Sequence, residues 1–530
     1  MVQPQSAIAP KSETGKRATM GLIAVFITYF ATGYFFRGYT VTLPRIAAEL
    51  NGMHLYSWAI SLPALGAAFV TLTFGKLSDI YGRRIMLLIS LGLYMAGAIM
   101  ASVSETFVYF IVARVIISFG QGALSPLVFA VIGDLYQPAE RSKWSGLLQI
   151  PAGMAAVVTP TFVGMLTDKF SWRYFLWVAV LLILISAVFV LLGIPSLSRR
   201  TVHKIDFSGA CLLAIASSTM ILAFSLVDLY EWTSWPIAGL LAASAVSWSV
   251  FLWVERSADE PMLDPQVLLN KTFLIAAVSA LTSYFALLAV SAYFPLFLQG
   301  VQGGSATWTG LISTPFSALM SLMGVPVGFL LARTKRYKPT YIAGYAVLTI
   351  ATFAMVTFHA GTPAWLEILV ISVAGLGLGA IPTLNTLVAQ FAVPKRLLGV
   401  AVGAMFFFVF MGGAIAPAIL GSAMNEEYTR TLRKALPAEL NQAGETTLKT
   451  LADPKILLSK PAMENLENAF RPFGDRGPAL FEKTVAAIRG SLEAGLRVVF
   501  LIGAVTVLLS FLLILAIPEI PIEEKVADKK

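Results

Sequence analysis

Gly75-Lys76-Leu77-Ser78-Asp79-Ile80-Tyr81-Gly82-Arg83-Arg84 interrupts two apolar runs, at about 56–75 and 85–103. At a rise of 1.5 Å per residue, each run has about the length an α-helix needs to cross the hydrocarbon core of a bilayer. Gly75 and Gly82 permit a tight turn and close helix approach. Asp79 is read as opening a helix, where a carboxylate faces backbone N–H groups at its own or a neighbouring helix amino terminus. Arg83 and Arg84 are placed to meet lipid phosphates. A plain basic loop between two spans needs only the cations, whereas the placed glycines and aspartate exceed what topology asks for. The segment reads as a turn between two membrane helices.

Outward from this turn the same alternation fills the chain. Fourteen apolar runs bounded by charge, Pro or Gly lie at roughly 21–43, 56–75, 85–103, 107–133, 145–166, 174–194, 206–227, 235–254, 272–298, 308–331, 340–359, 364–391, 398–423 and 496–517. The chain is 57% apolar and 13% charged, about half the charge of a soluble domain. An even number of spans leaves both termini on one side. With the amino terminus inside, the inside segments hold 22 Lys and Arg, and the short outer loops hold only Arg45, Lys169 and Arg173. Ten more fall in 424–495, where long loops translocate regardless of charge, Arg497 stands at the start of the last span, and Arg37 and Arg114 sit within spans. The expectation is a multi-pass protein of the inner (plasma) membrane with both termini cytoplasmic.

The expected organisation starts with a cytoplasmic tail (1–20), a six-helix bundle (21–200) and two linking helices (201–260). The first five helices of a second bundle follow (261–423), then a long extracytoplasmic loop (424–495), and last a span with a cytoplasmic tail (496–530). Residues 479–495 carry apolar positions at helical spacing and are expected to lead as an amphipathic helix into the last span. The apolar run behind the polar first twenty residues is too long for a signal-peptide core, so the first span is expected to stay as an anchor. The single Cys211 excludes an intrachain disulfide framework, and His54, His203 and His359 have no metal-ligand spacing. No cofactor is expected. The net charge of +9 is a topology signal and not a nucleic-acid footprint.

Landmarks in the first six spans recur in the last six. Pro44 matches Pro295 at an offset of 251 and Gly75 matches Gly328 at 253. Pro126 and Pro138 match Pro382 and Pro394 at 256, while Pro160 and Gly164 match Pro417 and Gly421 at 257. The fold class is therefore all-α membrane protein, two related six-helix bundles with two helices between them.

The Gly75–Arg84 segment resembles the loop between the second and third helices of the major facilitator superfamily. Other segments are similar to its fourteen-helix drug:proton antiporter branch. These are Ser171-Trp172-Arg173-Tyr174-Phe175, Ile205-Asp206-Phe207-Ser208-Gly209, Glu255-Arg256 with Pro261-Met262-Leu263, Leu298-Gln299-Gly300-Val301-Gln302-Gly303, and Ala452-Asp453-Pro454. The resemblance covers nearly the whole chain. It implies that the loop (Gly75, Asp79, Gly82, Arg83, Arg84) latches the amino-terminal half to the start of helix 13, near Leu397, when the cytoplasmic side is closed.

Departures from that branch bear on substrate. Drug exporters of this type carry an aspartate in helix 1 where this chain has Phe35, and no carboxylate lies near mid-depth; Asp134, Asp228 and Glu367 stand at span ends. A proton-coupled carrier normally buries such a group. Instead Arg37 and Arg114 fall at one depth, roughly 7 to 9 Å from the midplane. Tyr34 is spaced to lie beside Arg37, and Ser118, Gln121 and Ser125 below Arg114. Two arginines without a carboxylate favour an anionic substrate group. The alternatives are that Arg37 snorkels to the outer interface and Arg114 bonds backbone carbonyls. Gln149 and Asn385 are further cavity candidates or interhelical hydrogen-bonders, and Phe406, Phe407 and Phe408 stack on a flat substrate or face lipid. In helix 5 only Pro160 and Gly164 survive of a motif associated with tight packing against the other half.

A membrane enzyme would need a nucleophile, metal or acid–base set, and none is seen. A sensor on a transporter fold usually adds a signalling domain, which this chain lacks. Transport by alternating access is the expectation, with efflux of amphiphilic drugs or metabolites first and an organic-anion carrier as the alternative. The expected partners are a small-molecule substrate, the lipid bilayer and a coupling proton, with the chain working as a monomer.

Overall fold

The computed structural model describes residues 11–52, 55–136, 138–194, 207–227, 230, 232–256, 264–304, 306–394, 397–436, 457, 460–471 and 476–519. Asp206, Asp228, the 261–263 triplet and the 452–454 triplet lie outside these. Among the described residues every regular element is helical. In hydrocarbon a helix satisfies all its own backbone groups, whereas a lone strand cannot.

We number the helices α1 (Lys11–Glu49), α2 (Tyr56–Tyr81), α3 (Arg83–Ser102) and α4 (Phe107–Leu135). α5 comes in two pieces, Pro138–Leu147 and Gln149–Lys169, and is followed by α6 (Trp172–Gly193), α7 (Phe207–Ser225) and α8 (Trp235–Glu255). α9 (Lys271–Leu288) continues through π-helical turns at Ala289–Tyr293 and Phe297–Val301. α10 is again in two pieces, Ala306–Leu322 and Gly324–Thr334. α11 (Lys338–Met355), α12 (Ala364–Phe391), α13 (Leu398–Ala435), α14 (Lys460–Phe470) and α15 (Gly477–Leu515) complete the order. Eleven helices among the described residues are long and apolar enough to cross a membrane. α2, α7 and α11 stand at the positions of the other three expected spans.

Packing sorts the helices into two groups. α1 to α6 pack on one another around a core that includes Phe35, Tyr94, Phe129 and Trp172. α9 to α13 and α15 share a second core around Phe294, Tyr341, Tyr345 and Phe500. α7 and α8 pack together, and α7 leans on both α2 and α13. Local signals set the boundaries. Thr106 and Asn270 side chains accept the Tyr109 and Phe273 N–H groups and so cap α4 and α9. Gly82, at φ +91°, breaks α2 from α3 in a conformation that glycine tolerates.

Helix enters the long stretch 424–495 from both sides. α13 continues past the expected span end at 423 to Ala435, and α15 begins at Gly477 and includes 479–495, where a helix leading into the last span is expected. Hydropathy marks where a helix leaves the hydrocarbon and not where it ends. The parts beyond the apolar runs extend the core of the second bundle, with Tyr428, Leu432, Phe470, Leu480 and Ile488 buried in it. At the other terminus, residues 11–20 are already helical.

Candidate functional site

Asp79 does not open a helix of its own. It sits in the last turn of α2 and faces the amino terminus of α13, where its Oδ1 and Oδ2 accept the N–H groups of Gly399 and Val400 at 3.3 and 3.1 Å. These are donors that a helix start leaves without intrahelical partners. Arg83 holds the carboxylate from the opposite side at 2.5 Å, reaches Asp134 at 2.8 Å, and donates to Ser78, whose hydroxyl donates to the Gly75 carbonyl. Arg84 begins the first turn of α3 beside it, half-buried. A Cβ on Gly75 would stand 2.7 Å from the Gly399 carbonyl, and one on Gly399 would stand 2.5 Å from Asp79 and Arg83. Glycine at both places lets the two halves touch through their backbones.

A second contact between the halves lies at the same end of the molecule, the latch end. A Cβ on Gly146 of α5 would lie 2.5 Å from the Gly324 carbonyl, and one on Gly328 would lie 2.5 Å from the Ser142 carbonyl. The Gln390 amide of α12 donates to the Phe129 carbonyl of α4 at 3.3 Å. Gly324 and Gly328, like Gly399 and Gly403, form a small-xxx-small pair, the signal by which these contacts are readable in sequence. Gly164 behaves differently: a Cβ there meets nothing within 4 Å, so the tight packing expected of it belongs to Gly146. Pro160 lies within the same helix.

The two arginines are not brought together. Arg114 is buried, its guanidinium 4.8 Å from the Phe35 ring and 4.4 Å from the Tyr39 ring, with Nη1 donating to Gln121 at 3.4 Å. Gln121 in turn donates to the Thr32 carbonyl at 3.3 Å, so the set ties α4 to α1. Phe35 and Arg37 differ by about 200° around a helix axis, which turns Arg37 away from this cluster. Arg37 is exposed and lies within electrostatic reach of Tyr284 on α9, in the other half. Tyr34 is buried and donates to the Phe175 carbonyl at 3.3 Å, inside its own bundle. Asn385 is likewise buried and accepts from the Tyr341 hydroxyl. Gln149 is buried against Gly324 of the other half. Phe406 packs against Phe129 across the halves, the rings tilted with centroids 5.6 Å apart.

The geometry is that of two helical bundles clasped at one end. The family description Major Facilitator Superfamily matches residues 25–417. The chain belongs to the Major Facilitator Superfamily. As a superfamily transporter it is 26% identical over 525 residues to the multidrug transporter protein MdtP of Bacillus subtilis (strain 168), covering 98% of this chain and 96% of that one. It is 28% identical over 483 residues to the uncharacterized MFS-type transporter Rv1877 of Mycobacterium tuberculosis, covering 91% and 67%. It is 26% identical over 431 residues to Multidrug resistance protein 3 of Bacillus subtilis, covering 80% and 83%. Among solved superfamily structures, the human organic anion transporter MFSD10 superposes with a TM-score of 0.57 at 14% identity over 96% of this chain and all of that one. The proton:xylose symporter XylE gives 0.59 at 13% identity over 96% and 97%. These two likenesses show the fold alone.

Sequence reading missed Tyr284, an aromatic on an apolar helix with nothing in its spacing to mark it. It also missed the surroundings of Glu367. That carboxyl is fully buried, and its Oε1 accepts from the Gln302 amide at 2.7 Å.

Proposed function

We propose that this superfamily transporter is a proton-driven exporter of small amphiphilic drugs or metabolites, with fourteen spans and both termini in the cytoplasm. The latch end is then the cytoplasmic end. The observation that carries the reading is the clasp between Asp79 and the first turn of α13, closed while Arg37 and Tyr284 face each other from opposite halves. A carrier clasped at one end matches one of the two end states of alternating access. The multidrug names of MdtP and Multidrug resistance protein 3 point to the same class of substrate.

Everted membrane vesicles test it. Acidifying the vesicle interior should drive ethidium uptake, and a protonophore should abolish it. Uptake equal to that of vesicles lacking the protein, for ethidium and for an anionic sulfonated dye alike, would sink the reading.

The organic-anion alternative now rests on Arg37, which alone of the two arginines faces outward from its bundle. Arg114 serves that site by fixing α1, through Phe35 and Tyr39, and not by touching the ligand.

A further inference from the structure

The two-piece helices α5 and α10 break at matching places. Pro151 has no N–H to give the Leu147 carbonyl, and α5 is interrupted at Leu148; Pro326 has none for Leu322, and α10 is interrupted at Met323. The residue after each break lies on the contact between the halves, Gln149 on α5 and Gly324 on α10. A Cβ on Gly324 would lie 2.1 Å from Gln149 Cγ and 2.9 Å from Thr383 Oγ1 of α12. Three helices from two bundles therefore converge on one point, at the level where two of them bend.

Two polar atoms at that point are out of place in a closed interface. Gln149 is 7% exposed and Thr383 is 0% exposed, and the Gln149 amide nitrogen and the Thr383 hydroxyl are both buried with no hydrogen-bond partner among the described residues. A buried amide or hydroxyl without a partner is destabilising, and packing alone would be served better by Leu and Val. These groups disfavour the closed state, whereas the clasp at Asp79 favours it. Rocking the halves apart at the latch end would wet them and leave an amide N–H donor and a hydroxyl facing the opened gap.

We propose that Gln149 and Thr383 are substrate-contacting residues of the state open at the latch end, where they hold a neutral hydrogen-bond-accepting oxygen, such as a carbonyl or ether. The same atoms poise the carrier between its two states by penalising closure without ligand. The inference deepens the exporter reading and rests on it for the word substrate.

The test uses the full-length protein in a Cys211→Ser background with Val402→Cys, a position fully buried between the halves near the clasp. Its labelling by a thiol reagent in detergent reads opening at the latch end without any ligand. Gln149→Leu with Thr383→Val should slow labelling by about tenfold, since the closed state loses two unsatisfied groups. Thr383→Val alone, nearly isosteric, should slow it less and serves if the double variant folds poorly. In the same proteins both dyes share the loss that a smaller open fraction imposes, and rhodamine 123, which carries an ester carbonyl, should lose about tenfold more affinity than ethidium, which has no such oxygen. Labelling that is unchanged or faster, or equal losses for both dyes, would overturn the inference. Failure of the exporter reading shows elsewhere, as absence of gradient-driven dye movement by the unsubstituted protein.

Discussion

Arg37 and Arg114 show how far a single residue can be read without its neighbours. Their common depth was legible from spacing, but depth does not say which way a side chain points, and Phe35 decides that by stacking on Arg114. Arg37→Ala should therefore weaken binding of an anionic dye about ten- to a hundred-fold and leave thermal stability unchanged. Arg114→Ala should lower the melting temperature, because it removes a cation held over two rings in a desolvated site, an arrangement worth about 2 kcal/mol. If the two substitutions proved alike in both assays, the separation of roles would be wrong. Asp79→Asn tests the clasp in the same spirit. The neutral amide loses the charge-assisted bonds to Gly399 and Val400, so Val402→Cys should label faster, and transport should slow more than substrate affinity falls.

Among elements, the glycine contacts make the sharpest claims. Gly146→Val would drive a side chain into the Gly324 carbonyl and Gly328, backbone atoms that cannot step aside, and should trap the carrier open at the latch end. Gly164→Ala, with open space around it, should keep transport intact and stabilise its helix by about 0.5–1 kcal/mol. Reversal of these two outcomes in a transport and labelling assay would overturn the assignment of the close-packed face. The helices themselves were legible because a period of about twenty apolar residues leaves few other solutions. The extension over 479–495 was legible from apolar residues at helical spacing, whereas the one at 424–435 was not, since helix continues there on side-chain contacts such as Tyr428 and Leu432 and not on hydropathy. The breaks in α5 and α10 were written in Pro151 and Pro326, yet many membrane helices carry proline, and only packing shows that these two meet.

For the whole molecule, sidedness is the open quantity with the simplest assay. In the Cys211→Ser background, Asn468→Cys on α14 should react with an impermeant thiol reagent in intact cells, and Lys335→Cys, just after α10, should not. Equal labelling of the two would overturn the fourteen-span topology. The latch end should also carry a second brace, where Arg336 grips Glu519 through two bonds of 2.7 Å and ties the α10–α11 turn to the chain after α15. Arg336 is exposed and Glu519 half-buried at the surface, and removing the pair should matter little for stability.

The length of α13 and α15 has a mechanical consequence. Helices of 38 and 39 residues are each about 57 Å long, close to twice the hydrocarbon thickness, so roughly half of each projects beyond the bilayer. They are joined there, Gly495 lying against the Met424 carbonyl, and they move with the second bundle as a paired mast. A pivot near the midplane turns any small tilt of that bundle into a larger sweep at the masthead. A reporter fixed at Arg433 or Glu482 would amplify the stroke of the carrier, and the cycle could be followed in real time far from the substrate path.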